Sequence, residues 1–225
     1  MNLPHHNARA REEILSRLRR ASPPFPSTTA DSKPSLMVTR ASPDEDWVQR
    51  FITEAERARA VVHRVSNDEE GRVVLRELLT RLGARRAVTW DMAHIPLAGV
   101  DAVLEELGIE RVQGDNVTVA TADVGITGVD WALATTGTLV LHAGPGKPRM
   151  ASLLPPYHLA ILRAGRILPR LEDYFALQRA ADLRPLRESS NVTLITGSSA
   201  TSDIEQQPVR GAHGPLELHI VLLTP

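Results

Sequence analysis

The order of apolar and polar positions predicts a short helix, a break, and then an alternation of strands and helices. Between Asn7 and Arg20, Ile14, Leu15 and Leu18 recur at a three-to-four spacing among arginines, the pattern of an amphipathic helix. Pro23, Pro24, Pro26 and Pro34, interspersed with Ser and Thr, then read as an extended linker. From Asp44 the pattern changes. Asp44-Glu45-Asp46 opens a helix through Trp47, Phe51, Ile52 and Ala55, because acidic residues suit a helix N-terminus. Val61–Val65 reads as a strand, and Asn67-Asp68-Glu69-Glu70 caps a helix carrying Val73, Val74, Leu75, Leu78 and Leu82 that Gly83 closes. Ala87–Trp90 follows as a strand, Gly99–Leu107 as a helix and Val117–Ala120 as a strand.

The second half is richer in strands. Trp131–Ala134 and Thr138–His142 flank Thr135-Thr136-Gly137, consistent with a hairpin. Leu159–Leu162 is a further strand and Leu171–Ala181 a helix, while Asn191–Thr196 and Leu216–Leu223 read as central strands because they are nearly continuous apolar runs. The expected architecture is α/β: a mixed, mostly parallel sheet with helices on both faces and an N-terminal helical extension. Residues 1–43 form the helix and Pro-rich linker, and residues 44–225 the α/β domain.

Composition narrows the function. At 225 residues the chain buries roughly 70% of its unfolded surface, enough for a core without staples. Its 26 basic and 27 acidic residues give a net charge of −1, which does not favour nucleic acid. No apolar run approaches the roughly 18 residues needed to cross a bilayer, and Met1–Arg20 lacks the apolar segment of a signal peptide, so a cytoplasmic protein without membrane contact is expected. Cysteine is absent, which excludes from this chain a disulfide, a thiolate metal site, a cysteine nucleophile and a Cys-ligated iron–sulfur cluster. Any redox centre it serves sits on another chain or a bound cofactor. Lys33 and Lys147 are the only lysines, which disfavours Schiff-base chemistry.

Four stretches carry chemistry. Thr121–Asp130 with Thr136, Gly137 and Thr138 offers hydroxyls and backbone N–H groups to an anion, or is simply a tight turn. Gly144-Pro145-Gly146-Lys147-Pro148-Arg149 reads as a flexible loop whose Lys147 and Arg149 close over a carboxylate or phosphate, or as a solvated tip; it lacks the ending of a Walker loop. Pro155-Pro156-Tyr157-His158 places His158 at a strand mouth, as a ligand contact or a hydrogen-bonded structural residue. The fourth is the turn Gly197-Ser198-Ser199-Ala200-Thr201-Ser202-Asp203 leaving a strand, followed by Gly211-Ala212-His213-Gly214. Gly197, Ser198, Ser199, Thr201 and Gly214 would contact an anion while Asp203 and His213 move protons; the alternative is a well-capped surface loop. Asp91 and His94 lack a third metal ligand nearby, so no metal and no cofactor is expected.

Taken in order, Ile126-Thr127-Gly128-Val129-Asp130, Thr136-Gly137-Thr138-Leu139-Val140, Ala151-Ser152-Leu153-Leu154-Pro155-Pro156-Tyr157-His158, Ile167-Leu168-Pro169-Arg170-Leu171-Glu172-Asp173, Thr196–Glu205 and Gly211–Pro215 resemble the lactate utilization protein C family, a family of LUD-domain proteins. The resemblance covers about Asp44 to Pro225. It implies a fold similar to sugar-phosphate isomerases and CoA transferases. It also implies a role in converting L-lactate to pyruvate with two partner proteins that carry the iron–sulfur centres. Two departures stand out: Thr135 replaces the acid many relatives carry before the Thr-Gly-Thr turn, and Ala200 stands where Lys or Arg is common. The competing readings are a stand-alone enzyme on a small phosphorylated or carboxylated metabolite and a ligand-sensing module that docks through its Arg-rich helix.

Overall fold

The computed structural model describes residues 5–21, 45–202, 208–210 and 214–224. The chain divides into two compact units, Met1–Arg40 and Ala41–Pro225. In the first, helix α1 (His5–Ala21) leaves Ile14 and Leu18 more than half exposed.

In the second unit, α2 (Trp47–Arg57) begins where the Asp46 carboxylate accepts from the N–H groups of Val48 and Gln49. After β1 (Val61–Val65), Asn67 caps α3 (Asp68–Arg81) by accepting from the Glu70 N–H, while the Glu70 side chain reaches back to the Ser66 N–H. The reciprocal bonds satisfy one open donor of the first turn and fix the chain entering the helix. Asn67→Ala is expected to cost about 1 kcal/mol, read as a lower urea midpoint.

Then follow β2 (Arg86–Thr89), α4 (Val100–Glu106), β3 (Glu110–Arg111), α5 (Asn116–Val119), β4 (Val124–Gly128), β5 (Trp131–Leu133), β6 (Thr138–Ala143) and β7 (Tyr157–Arg163). The chain continues through β8 (Ile167–Leu168), α6 (Leu171–Ala180), α7 (Arg184–Glu188), β9 (Asn191–Thr196), β10 (Ala200–Ser202), β11 (Pro208–Arg210) and β12 (Glu217–Leu223). The six-stranded sheet, in the order β1-β12-β7-β4-β2-β3, is parallel throughout. Its central strands β12, β7 and β4 are nearly continuous buried runs, as strands covered on both sides require. No described helix is long and apolar enough to cross a membrane.

The protein is α/β with a parallel sheet and helices, as expected, but the antiparallel pairings lie outside that sheet, in the four-stranded sheet β8-β5-β6-β9 and the pair β10-β11. Two sequence expectations need correction. Val117–Ala120, expected as a strand, lies largely in the short helix α5, because Asp115 accepts from the Thr118 N–H and starts a helical turn. Asn191–Thr196, expected as a central strand, is β9 at the edge of the smaller sheet, paired only with β6 among the described residues and with Leu194 half exposed. Val192 and Ile195 pack partly against the core, while Leu194 faces solvent.

The connections set up the site. The smaller sheet grows from the carboxyl ends of two central parallel strands: β4 runs into β5 and β7 into β8, which pair in parallel with Ala132 opposite Ile167. Residues 129–131 and 163–166 are therefore brought together at the carboxyl edge of the large sheet, where α/β sheets bind ligands.

Candidate functional site at the carboxyl edge of the parallel sheet

A cavity of about 330 Å3 opens at this edge, lined by His94, Asp130, Trp131, Lys147, Arg163 and Arg166 together with Ala93, Pro96 and Val129. The side chains arrive from four connections: His94 follows β2, Asp130 and Trp131 lie where β4 runs into β5, Lys147 follows β6, and Arg163 ends β7 with Arg166 just after it. Gly128 ends β4, and a Cβ there would lie 2.2 Å from the His94 carbonyl oxygen; its absence lets the turn Met92–His94 cross the strand and present His94. Lys147 comes from the turn Gly144–Lys147, closed by reciprocal backbone hydrogen bonds between Gly144 and Lys147. Pro145 and Gly146 occupy its centre, Gly146 at φ +72°, the residues and conformation of a type II turn. The Asp91 N–H donates to the Gly146 carbonyl. The stretch expected as a flexible closing loop is thus a tight turn held against the end of β2.

Charge in the cavity is unbalanced. Lys147, Arg163 and Arg166 face one carboxylate, Asp130, which is already committed: it accepts from Lys147 Nζ at 2.5 Å and from the His142 N–H at 2.8 Å. The Lys147 ammonium also lies over the Trp90 ring, 5.0 Å from its centroid, and the Arg166 guanidinium over Trp131 at 4.9 Å. Arg163 has a single long carboxylate contact, to Asp68 at 3.8 Å, and Arg166 stacks on Trp131 with no carboxylate partner among the described residues. Two guanidinium groups with open donors at a strand-end cavity suit a carboxylate or phosphate.

Behind the Asp130–Lys147 pair, a smaller cavity of about 250 Å3 is lined by His142, Pro185, Glu188 and Ser189. The Ser189 hydroxyl donates to the Pro185 carbonyl at 2.6 Å, so its oxygen accepts from His142 Nδ1–H at 2.9 Å. His142 Nε2 is then left to accept from the Tyr174 hydroxyl at 2.8 Å. Burial pushes the Tyr174 phenol up to about 12 and lowers His142 below its ordinary value, so this row stays neutral at physiological pH.

The residues singled out in the sequence divide into groups. Thr136, Thr138 and Thr196 join hydroxyl to hydroxyl at 2.7 and 2.8 Å. Gly137 and Gly197 both have positive φ, and Cβ atoms there would lie 2.3 Å from the Ala55 nitrogen and 1.7 Å from the Ala58 carbonyl oxygen. Their bareness lets the ends of β6 and β9 seat on α2. The Ser199 N–H donates to the Pro215 carbonyl at 2.9 Å and Gly214 lies against Ser199, so Gly197, Ser198, Ser199 and Gly214 form one neighbourhood with the threonine row. Thr201 contributes to β10, which pairs with β11. Asp203 and His213 lie outside the described residues. Of the two cations, Lys147 lines the cavity, whereas Arg149 is exposed and is not part of its lining.

His158 stands near the start of β7, where the prolines lead into the strand, at the end of the sheet opposite the cavity, and is 1% exposed. Its Nε2 is 2.9 Å from the Thr127 hydroxyl, and burial lowers its pKa to about 3. Burial also lowers His63 and His219, which share a hydrogen bond of 3.2 Å. All four histidines are harder to protonate in the folded chain than in the unfolded one. Their contribution is complete above the unfolded value of about 6.5 and is lost as pH falls, by up to about 1.4 kcal/mol per pH unit for each group. The urea midpoint is expected to decline steadily from pH 7 towards pH 5, and His158→Gln to flatten that decline.

Arg163 and Arg166 carry no motif and escape a sequence search. The usable clue is positional: Arg163 ends a strand and Ala164-Gly165-Arg166 turns away from it.

Residues 48–223 match the family model of the LUD domain. The chain is 33% identical to Lactate utilization protein C of Halalkalibacterium halodurans over 144 residues, 62% of this chain and 63% of that protein. It is also 33% identical to Lactate utilization protein C of a Geobacillus species over 161 residues, 67% of each chain. The match to the first thus spans less than two thirds of the relative's length. A DUF162 family protein from Deinococcus radiodurans, 22% identical, has a similar fold, with a TM-score of 0.58 over 79% of this chain and 96% of that one.

Proposed function

This chain belongs to the LUD domain family, and from that premise we propose that it serves lactate utilization as a cluster-free subunit that holds a small anionic metabolite while iron–sulfur partner proteins carry the electrons. The observation behind the reading is the cavity at the carboxyl edge of the sheet, where Lys147, Arg163 and Arg166 meet a single, already committed carboxylate. The absence of cysteine fits the division of labour, since oxidation of a 2-hydroxy acid releases two electrons that need an acceptor outside these side chains. In this reading the arginines hold the carboxylate of the metabolite, and the Asp130 contact fixes the position of Lys147.

Purification of the tagged chain from its native cell, with iron and acid-labile sulfide measured on co-purifying proteins, tests the proposal. An iron-containing partner is the expected result. Lactate oxidation by the isolated chain at a rate matching the cell extract would overturn it.

The row Thr136–Thr138–Thr196 supports a second reading, in which the strand-end hydroxyls with Ser198 and Ser199 bind the anion and Asp203 and His213 move protons. His213→Ala tests that version: loss of turnover supports it and unchanged turnover removes it.

A further inference from the structure

The same two arginines wall a second cavity. It measures about 410 Å3, lies beyond the ends of β1 and β12, and is lined by Ser66, Asp68, Ala164, Gly165 and Leu223 as well as Arg163 and Arg166. An anion held on these arginines in the first cavity therefore lies next to further open space. Lactate, a three-carbon acid, fills neither. Cavities that enclose ligands of drug size measure about 300–1,000 Å3, a scale that the two reach together with room to spare.

The chemistry of the second cavity differs from that of the first. Asp68 accepts a long hydrogen bond from the Ala98 N–H at 3.4 Å and lies 3.8 Å from Arg163, which leaves its carboxylate with acceptor capacity for hydroxyl groups. Ser66 adds an exposed residue with its own hydroxyl. Asn67 and Thr224, also in the lining, are occupied by the fold: one caps α3 and the other donates to the Val65 carbonyl. Leu223, Ala164 and Gly165 provide an apolar wall. A carboxylate suits the paired hydroxyls of a ribose, guanidinium groups suit a phosphate, and an apolar wall suits a base.

We infer that the two cavities together bind a nucleoside monophosphate, with its phosphate between Lys147, Arg163 and Arg166, its ribose hydroxyls on Asp68, and its base along Leu223 and the Ala164–Gly165 backbone. The inference rests on the anion-binding reading of the first cavity and names the ligand class for it.

Calorimetric titration of the full chain with AMP, adenosine and inorganic phosphate tests it. AMP is expected to bind at least about tenfold tighter than phosphate, a margin of ~1.4 kcal/mol. Gly165→Leu should remove that margin without weakening phosphate binding. Gly165 lines the second cavity and a Cβ on it meets no atom within 4 Å, so the backbone there accepts a side chain without displacing a neighbour. Asp68→Asn, which keeps the side chain's shape, should weaken AMP relative to phosphate. Equal affinity for AMP and phosphate, or AMP binding untouched by both variants, overturns the inference and leaves the anion site standing. Failure of both phosphate and AMP to bind overturns the anion-binding reading itself.

Discussion

Gly125→Ala is expected to lower the unfolding free energy by about 3 kcal/mol or more, beyond the usual cost of overpacking a core. Gly125 lies in the fully buried strand β4, and a Cβ there would fall 1.6 Å from the Ala151 carbonyl oxygen and 3.3 Å from a Pro155 ring carbon. The obstacle is backbone, so no change of side-chain rotamer relieves it. The turn Arg149–Ser152 must lift from the sheet or β4 must shift between its parallel neighbours β2 and β7. For a chain of this size, the thermal midpoint should fall by about 6–12 °C. Because Lys147 stands two residues before the displaced turn, the variant should also bind anions more weakly. A midpoint within a degree of the wild type would mean that the turn does not rest on β4.

Asp130→Ala carries the second large effect, with opposite signs on stability and binding. Both members of the Asp130–Lys147 pair are about four-fifths buried, with side-chain exposures of 21% and 20%. Removing the carboxylate strands the ammonium over Trp90 and leaves the His142 N–H without its acceptor. Breaking a fully buried pair costs about 3–5 kcal/mol, so the partial exposure here points to about 2–3 kcal/mol. The freed Lys147 no longer has a competing carboxylate, and phosphate affinity should rise several-fold. Urea unfolding and calorimetry on the same preparation check both halves. A loss of stability with no gain in affinity would show that Lys147 does not reach the anion.

The elements that local patterning specifies were legible in the sequence. The α3 helix is an example: Asn67 and Glu70 cap it, and its leucines recur at helical spacing, so the chain around it needs no distant information. The parallel sheet was legible for the same reason, from nearly continuous apolar runs such as Leu218–Leu223, although the similar run Asn191–Thr196 belongs to an edge strand. The separation of the four-stranded sheet from the parallel one was not. It depends on β5 and β8 pairing across more than thirty residues of chain, and nothing in Trp131–Leu133 or Ile167–Leu168 alone announces that partner.

The site was legible in part for a related reason. Glycines and hydroxyls at strand ends drew attention to Gly137 and Gly197, yet in the fold their missing side chains admit the backbone of α2. Bare positions needed for close packing and bare positions needed for a ligand look alike in a sequence. Lys147 was visible because lysine is so scarce here, whereas Arg163 and Arg166 are two arginines among many. Their distinction is purely spatial: both stand where β7 leaves the sheet, between two cavities that only the assembled fold creates.

The most direct test of the cationic strand-end cavity is a titration of inorganic phosphate into the wild-type chain and into the double variant Arg163→Gln, Arg166→Gln. Saturable binding that weakens at least about tenfold in the double variant, and survives Thr136→Ala with Ser198→Ala, is the predicted outcome. Equal binding by the arginine variant and the wild type, or its loss in the hydroxyl variant alone, would contradict it.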